Sequence, residues 1–387
     1  MIHLSKIRYI DTPDGGRLES DITIDNNAPQ TIWVETSKEY ARYLTHERAD
    51  AYIIGILNWA MRTRHDIVSE SPMGESLYYQ ITRYVIPALT WGSKKMHSIS
   101  IECPIDSSLL ENAGCVGTGI SCGVDSLYSV YTNESDKLPR HKLTHLTFFN
   151  VGSNGEGNSE IFEKRLNIAR DFCEKNHYPL VVINSNIHDV IHQDHFLSAS
   201  YSAGFAIYSL QKMWRLYYLA SAGNDFGVYH LRNNDRKCSE DYEVFLLPQL
   251  SSDQLKIDSS GAGVTRQNKL KEIINYAPSY EFLNVCTTDG PNCSRCEKCI
   301  RTMVGLDALG VLDKYSSVFD VDFFRNNPEY VYDVFLEKYY LGWKLHAEIY
   351  PFVKNKIPLG IKLKAAAKMA LYKYRMRKAE STSNGSK

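Results

Sequence analysis

The sequence predicts an α/β fold with a parallel central sheet, an α+β domain before it and a helical extension after it. Two observations carry this prediction. Apolar runs alternate with helix-like segments between residues 113 and 310, an order typical of parallel strands joined by right-handed crossovers. The aromatic residues after 310 recur at helical rather than strand spacing. We therefore predict domains at 1–112, 113–310 and 311–387.

The first domain is predicted from short runs of β-branched and aromatic residues separated by turns such as Asp14-Gly15-Gly16. Apolar residues at helical spacing then indicate a helix over 49–63. The predicted strands are 2–9, 18–24, 31–35, 66–68 and 97–102, and the predicted helices are 49–63 and 78–87.

In the central domain, helix 161–176 places its apolar side chains on one face, and 201–222 is so apolar that we predict a buried helix. The predicted strands are 115–120, 143–151, 180–184 and 227–231, and the predicted helices are 127–131, 161–176, 201–222 and 267–276. Helices 321–341, 343–350 and 361–378 follow in the extension. Ligands of parallel sheets bind beyond the carboxyl ends of the strands, so we expect 121–126 and 150–152 at one crevice.

The most informative segment is the loop Gly119-Ile120-Ser121-Cys122-Gly123-Val124-Asp125-Ser126. Gly119 and Gly123 let the backbone approach an anion, and the following helix N-terminus supplies N–H donors and a partial positive charge. Ser121 and Ser126 add hydroxyl donors. Asp125 is suited to hold Mg²⁺ or to fix the loop. The alternative is a polar βα turn without a ligand.

This loop is not a Walker A sequence, because no Gly-Lys-Ser/Thr follows the glycines. It resembles the SGGxDS loop of the PP-loop ATP pyrophosphatases, whose domain is adenine nucleotide alpha hydrolase-like. The resemblance implies cleavage of ATP between the α- and β-phosphates, binding of pyrophosphate by Gly119–Ser126, and contact of Asn150, Val151 and Gly152 with adenosine. Cys122 stands where the family has its first glycine, so its side chain would replace backbone against the phosphate.

A second motif consists of Cys286, Cys293, Cys296 and Cys299, with the spacing C-x6-C-x2-C-x2-C. Four thiolates at such spacing can converge on one tetrahedral Zn²⁺, and a turn predicted at 289–292 would return the chain to the metal. An iron–sulfur cluster uses the same ligands. Disulfides are disfavoured, because the N-terminus does not resemble a secretory signal and we expect the protein in the cytoplasm.

Together the two motifs resemble the 7-cyano-7-deazaguanine synthase (QueC) family over residues 113 to 310. Within the segment 258–269, the resemblance implies phosphate contacts for Arg266 and Lys269, which we take as catalytic candidates together with Asp125. Fixed cations stabilise the charge that develops on leaving pyrophosphate. The alternative for Arg266 and Lys269 is a solvated helix start. The domain 1–112 is absent from minimal QueC enzymes, which favours a different or larger substrate.

Composition adds limits. The chain has 387 residues and a net charge of -1, so it is not a basic nucleic-acid binder as a whole. No apolar run reaches the ~20 residues of a membrane span. The segment 361–378 carries seven basic and no acidic residues, and could contact nucleic acid, an anionic membrane surface or an operon-encoded protein. The alternative for this segment is a solvated helix. The sequence does not decide whether the protein forms a homodimer.

The resemblance implies an AMP-forming, ATP-dependent ligase. With ATP, Mg²⁺ and a structural Zn²⁺, the enzyme would adenylate a carboxylate or amide oxygen of an acid substrate for attack by ammonia or an amine. Three alternatives remain: a sulfur-transfer PP-loop enzyme in which Cys122 or another thiol takes part, a tRNA-modifying enzyme, and a QueC-like component of a bacterial antiviral defence system. The sequence leaves the acceptor and the donor unnamed.

Overall fold

The computed structural model describes residues 1–153, 159–222, 238–286 and 291–384. The predicted strand 227–231 and the first half of the turn predicted at 289–292 lie outside these ranges. The chain divides into two compact units. Unit 1 contains Met1–Ser121 and Asp125–Val264, and unit 2 contains Cys122–Val124 and Thr265–Lys387. The predicted boundaries after residues 112 and 310 fall inside these units.

Unit 1 is built on one large mixed sheet. Its eleven strands among the described residues are β1 (Ile2–Leu4), β2 (Arg8–Thr12), β3 (Gly15–Ile24), β4 (Gln30–Ser37), β5 (Ile67–Ser69), β7 (Ile101–Glu102), β9 (Cys115–Gly119), β10 (His145–Asn150), β11 (Leu180–Ser185), β12 (Trp214–Ala220) and β13 (Lys256–Ser260), while β6 (Met73–Gly74) and β8 (Ile105–Asp106) pair separately. The strand order is β13-β12-β9-β10-β11-β4-β3-β1-β5-β7, with β2 beside β3.

The central part of this sheet confirms the predicted α/β class. Strands β13, β12, β9, β10 and β11 are all parallel to their neighbours. Numbered along the chain from β9, these five strands lie in the order 3-2-1-4-5. The connection from β9 runs to β10 on one side, and that from the neighbouring β12 runs to β13 on the other side, so the carboxyl ends of β9 and β12 form a topological switch point.

The N-terminal strands extend this sheet rather than forming a sheet of their own. Strand β4 pairs antiparallel with β11, with Val34 opposite Ser185, and β3 pairs antiparallel with β4. Ile2, Val34 and Ile183 belong to one buried core. The sequence did not indicate this arrangement, because the pairing joins segments about 150 residues apart and is decided by burial of both faces.

Helices of unit 1 cover the sheet. They are α1 (Asp50–Thr63), α2 (Glu75–Gln80), α3 (Ile86–Gly92), α4 (Val124–Ser135), α5 (Ser159–Lys175), α6 (Ile187–Ile191), α7 (His195–Ser209) and α8 (Glu243–Gln249). A π-helical turn, Ile81–Val85, joins α2 to α3, so the helical stretch continues past Pro87, where the sequence predicted its end. The turn already interrupts the regular hydrogen-bond ladder, so the missing N–H of Pro87 is tolerated.

The predicted helix 201–222 is wrong in its second half. Helix α7 ends at Ser209, and Leu210 has φ -116°, outside the helical range. Residues Trp214–Ala220 form β12, which lies between β9 and β13. A strand that is interior to a parallel sheet is covered on both faces. Its sequence, apart from Arg215, is therefore apolar and lacks the alternation that identifies strands with one exposed face.

Unit 2 is helical apart from its loops. Its helices are α9 (Arg266–Ile273), α10 (Ser279–Phe282), α11 (Glu297–Ala308), α12 (Val321–Asn326), α13 (Pro328–Tyr340), α14 (Lys344–Val353) and α15 (Leu359–Asn384). The predicted helix 321–341 is divided in two because Pro328 begins a new helix. No helix within the described ranges combines the length and hydropathy needed to cross a membrane.

Candidate functional site

The glycine-rich loop leaves the carboxyl end of β9 and enters α4, as the sequence predicts. This is the switch point of the parallel sheet, where strands β10 and β12 flank β9. Ser121 is exposed, whereas Ser126 is only 5% exposed, and their hydroxyl oxygens are 3.3 Å apart. Asp125 is half-buried in the first turn of α4, where its charge is favourable to the helix dipole.

Two glycines of β9 differ in the space around them. A Cβ on Gly117 would lie 2.8 Å from the Trp214 ring, so this glycine is required for packing. A Cβ on Gly119 would meet nothing closer than the Tyr217 hydroxyl at 3.8 Å. The strand therefore opens into free space at Gly119, where the loop begins.

Cys122 adopts a glycine-like backbone conformation. Its φ is +56°, and its side chain is fully buried. Its carbonyl oxygen accepts a hydrogen bond of 2.8 Å from the Asn284 N–H, within unit 2. This left-handed conformation is one that glycine adopts most readily. The thiol has no exposed surface, and the expectation that it replaces backbone against the phosphate stays a prediction.

The second predicted group lies at the carboxyl end of β10. Asn150 is the last residue of that strand, and Gly152 has φ +121°. A Cβ on Gly152 would approach the His188 Nδ1 atom to 2.8 Å, so the imidazole packs directly over this glycine. The structure thus brings His188 to the edge of the sheet that carries Asn150, Val151 and Gly152.

A row of polar side chains crosses four strands from this point, and the sequence analysis missed it. Asn150 donates to Asn184 Oδ1 at 2.8 Å, and Asn184 donates to Glu35 Oε1 at 3.1 Å. Arg17 binds Glu35 at 2.6 and 3.0 Å, and its guanidinium lies 4.6 Å from the centre of the Trp33 ring. These four residues are direct cross-strand neighbours on β10, β11, β4 and β3.

In unit 2, Arg266 lines a small cavity together with Val124 of the loop. Gln267, Arg301 and Thr302 are also in its wall. Gln267 is 95% buried, and neither its amide oxygen nor its amide nitrogen has a hydrogen-bond partner. Lys269, predicted beside Arg266 as a phosphate contact, is fully buried on α9, which contradicts the alternative that it belongs to a solvated helix start.

Arg301 is positioned by a buried polar group that the sequence did not indicate. Its guanidinium donates to Glu297 Oε1 at 2.8 Å, one helical turn earlier on α11. The same carboxylate oxygen lies 3.2 Å from Nε2 of His346, which is fully buried. Burial raises the pKa of Glu297. Its contacts with His346 and Arg301 lower that pKa by more than burial raises it, so the net shift is downward. Glu297 therefore holds Arg301 as an ion pair.

The four predicted cysteines come together. The Sγ atoms of Cys286, Cys293, Cys296 and Cys299 all lie within 4.8 Å of one another, and those of Cys286 and Cys296 are 3.9 Å apart. Sulfurs at about 2.3 Å from a tetrahedral Zn²⁺ would be about 3.8 Å apart. None of the nine cysteines, all of which are in the described ranges, forms a disulfide. This cluster can hold a metal ion such as zinc.

The surroundings of the cluster favour a bound cation. A hydrogen bond from the Cys299 thiol lowers the pKa of Cys296 to about 5. The same contact raises the pKa of Cys299. One thiolate therefore forms readily, and further thiolates require a positive charge among them. The donor set fits a zinc ion and leaves no open coordination position.

Asn292 fixes the first cysteine, and sequence reasoning missed it. Its Oδ1 accepts hydrogen bonds from the N–H groups of Val285 and Cys286 at 2.8 and 3.2 Å, and its Nδ2 donates to the Leu283 carbonyl at 2.7 Å. Cys296 then begins α11, and its N–H donates to Cys293 Sγ at 3.3 Å. The position of Asn292, one residue before Cys293, could have indicated this role.

The basic C-terminal helix is partly neutralised within unit 2. Lys364 pairs with Glu329 of α13, and Lys368 lies 2.9 Å from Asp333 and 3.5 Å from Glu337. These contacts dock α15 on an acidic face. Fewer of its charges are therefore available to nucleic acid than the sequence suggests.

No family model, curated protein or solved structure matches this chain in comparisons of each kind. The resemblance to PP-loop and QueC proteins therefore rests on the two sequence motifs.

Proposed function

We propose that this protein is an ATP-dependent, AMP-forming enzyme of the PP-loop type that joins a nitrogen donor to an acid substrate. The observation that carries the proposal is the position of the loop 119–126, which begins at the topological switch point and runs into the first turn of α4. Open switch points are where nucleotides bind in such sheets, and helix N-termini bind phosphate.

The loop and a cavity within unit 2 each carry groups that suit a triphosphate. Ser121 is exposed and offers a hydroxyl donor, and Asp125 offers a carboxylate to Mg²⁺. In unit 2, Arg266 and Arg301 border the same cavity as Val124. A guanidinium is suited to the charge that accumulates on leaving pyrophosphate. Lys269 is fully buried on the same helix as Arg266.

In the proposed reaction, an oxygen of the acceptor attacks the α-phosphorus, and the bond to the bridging oxygen of pyrophosphate breaks. Ammonia or an amine then attacks the activated carbon, and AMP leaves with the acceptor oxygen. We assign the acceptor to the polar row Asn150–Asn184–Glu35–Arg17, because it begins at the strand end that we assign to adenosine. The N-terminal strands would then supply a substrate surface.

Two of the alternatives are less well supported. A sulfur carrier must expose its thiol to the substrate, and Cys122 has no exposed surface. A tRNA-binding role for α15 loses support from the ion pairs of Lys364 and Lys368 with α13. A role in a defence system is compatible with the proposed chemistry.

The test is an ATP–pyrophosphate exchange assay with candidate acids, in which products are separated as AMP or ADP. We expect pyrophosphate and AMP. Ser121→Ala and Asp125→Asn should each reduce exchange by about 10²–10³-fold, as loss of a charge-stabilising contact does in closed sites. Asp171→Asn, on the exposed side of α5, is the matched control and should retain full activity. Formation of ADP, or full exchange in both loop variants, would contradict the proposal.

A further inference from the structure

Unit 1 contains a polar cavity at the opposite end of the parallel strands from the loop. Its wall combines Arg48 and Asp50 at the start of α1, residues 74–77 at the start of α2, residues 106–109 and residues 252–254. The last two segments precede β9 and β13, and Gln254 joins them by accepting from the Leu110 N–H at 2.6 Å. Since the loop 119–126 follows β9, the cavity is separate from it.

Asp50 is an incompletely bonded carboxylate in this cavity. It is only 1% exposed, and its Oδ1 accepts a hydrogen bond of 2.8 Å from the Gly74 N–H. Its Oδ2 has no hydrogen-bond partner. Burial disfavours the ionised form of Asp50, whereas the Gly74 N–H, the Arg48 charge and the nearby Gln211 amide favour it. Gln211 Nε2 is likewise without a hydrogen-bond partner. A buried carboxylate oxygen without a donor is costly, so this atom indicates a missing N–H or O–H group.

The one arginine in the wall is already used. Arg48 Nε donates to Asp106 at 2.8 Å, and its Nη2 donates to the Ser108 carbonyl. With Asp50, Glu75, Asp106 and Asp253, the wall carries four carboxylates against one guanidinium, a formal charge of -3. The hydrogen bonds of Arg48 go to Asp106 and Ser108, so its charge favours ionised Asp50 without a direct hydrogen bond to Oδ2.

The geometry favours an amine over a metal ion. Within the described ranges, the group of three or more His, Cys, Asp or Glu residues with converging ligand atoms is the cysteine cluster in unit 2. The carboxylates of this cavity do not converge in that way, as a metal site requires. An ammonium group needs fewer carboxylates, because it brings three N–H donors and no acceptor.

We propose that this cavity binds the protonated primary amine of a small ligand, with Asp50 Oδ2 as its main acceptor. The close packing at Gly74 supports this assignment. A Cβ at that position would lie 3.0 Å from Arg48 Nη1 and 3.2 Å from Asp50 Oδ2. Glycine thus keeps the space beside the two charged groups clear.

Methylammonium and tetramethylammonium chloride test the proposal, because both carry one positive charge and only the first donates hydrogen bonds. Thermal unfolding of the full-length protein should show a saturable rise in midpoint with methylammonium and none with tetramethylammonium at equal concentration. Calorimetric titration of methylammonium into the wild-type protein gives an independent readout. Equal effects of both ions, or no saturable effect, would overturn the proposal.

The matched variants are Asp50→Asn and Asp171→Asn. Asparagine keeps the acceptor for the Gly74 N–H, so Asp50→Asn should fold but lose the response to methylammonium, while Asp171→Asn keeps it. If Asp50→Asn does not fold, Gly74→Ala serves instead. The added methyl should abolish the response with Asp50 unchanged, and φ -63° at Gly74 is accessible to alanine. A response retained in either folded variant would exclude Asp50 Oδ2 as the acceptor. ATP turnover is a separate measurement, because the loop is at the other end of the strands.

Discussion

The buried carboxylate of Asp50 should make the stability of the protein depend on pH. Burial raises its pKa from the ordinary 3.8 to about 6. A folded-state pKa above the unfolded one stabilises the protein at low pH, and that contribution is lost as the pH rises from about 4 to 6. The loss is about 3 kcal/mol, since each pKa unit corresponds to about 1.4 kcal/mol.

The measurement compares urea unfolding of the wild type and Asp50→Asn between pH 4 and pH 8. We expect the variant to gain stability relative to the wild type as the pH rises, and to level off above pH 7. The wild type and the variant share all other titrating groups, so the contributions of those groups cancel in the difference between the two unfolding free energies. A difference that is constant with pH would show that Asp50 titrates normally.

The two glycines of β9 give a paired prediction for the loop. Gly117→Ala should destabilise the protein by about 1–3 kcal/mol, because the methyl collides with the Trp214 ring. Gly119→Ala meets no such contact and should leave stability within about 1 kcal/mol. If the phosphates lie against this backbone, Gly119→Ala should nevertheless weaken ATP binding. Denaturant unfolding and nucleotide titration of both variants separate the two effects. Unchanged ATP affinity in Gly119→Ala would show that the phosphates do not lie against this backbone.

Cys122→Gly tests the departure from the family motif. Glycine removes the cost of a left-handed residue, about 1–2 kcal/mol, but also removes a buried side chain and adds chain entropy of similar size. We therefore expect a net change in stability within about 1 kcal/mol and retained pyrophosphate exchange. Exchange that persists while product formation disappears would instead identify Cys122 as a participant in group transfer.

At the scale of elements, the cysteine cluster and the N-terminus of α11 form one structural unit. Cys296 begins the helix, Cys299 lies in its first turn, and Asn292 holds the segment that carries Cys286. Replacing any of the four cysteines by serine should therefore lower stability as well as activity, because metal-binding energy in such a site is folding energy.

Elemental analysis of protein purified without chelator should find one zinc per chain. Chelation should lower the unfolding midpoint, and added Zn²⁺ should restore it. Cys173→Ser is a control, because Cys173 is buried on α5 in unit 1 and belongs to no cluster. Visible absorption and iron in the preparation would indicate an iron–sulfur cluster instead. Metal-free protein of full stability would show that the four thiols do not form a structural metal site.

At the scale of the whole molecule, the N-terminal strands and the parallel strands should open together, because β4 and β11 are paired and share a core. Native-state hydrogen exchange should give β3, β4, β10 and β11 similar opening free energies. Removal of the metal should lower protection in α11 more than in these strands. Exchange of β3 and β4 well before β10 and β11 would support the separate first domain that the sequence predicted.

Local chemistry and periodicity determined much of this protein. The cysteine spacing, the loop before α4, strands β9 to β11 and most helices could be predicted, because each depends on residues close in sequence. The tertiary structure alone decided three things: the continuation of the sheet through β4, the identity of Trp214–Ala220 as a strand, and the meeting of Arg17, Glu35, Asn184 and Asn150 in one row. Each depends on which distant segment covers a face or pairs an edge, and neither spacing nor propensity contains that information. The environment of Asp50 was also decided by the tertiary structure. Burial separates its carboxylate from water, and the Gly74 N–H donates to Oδ1 while Oδ2 has no hydrogen-bond partner.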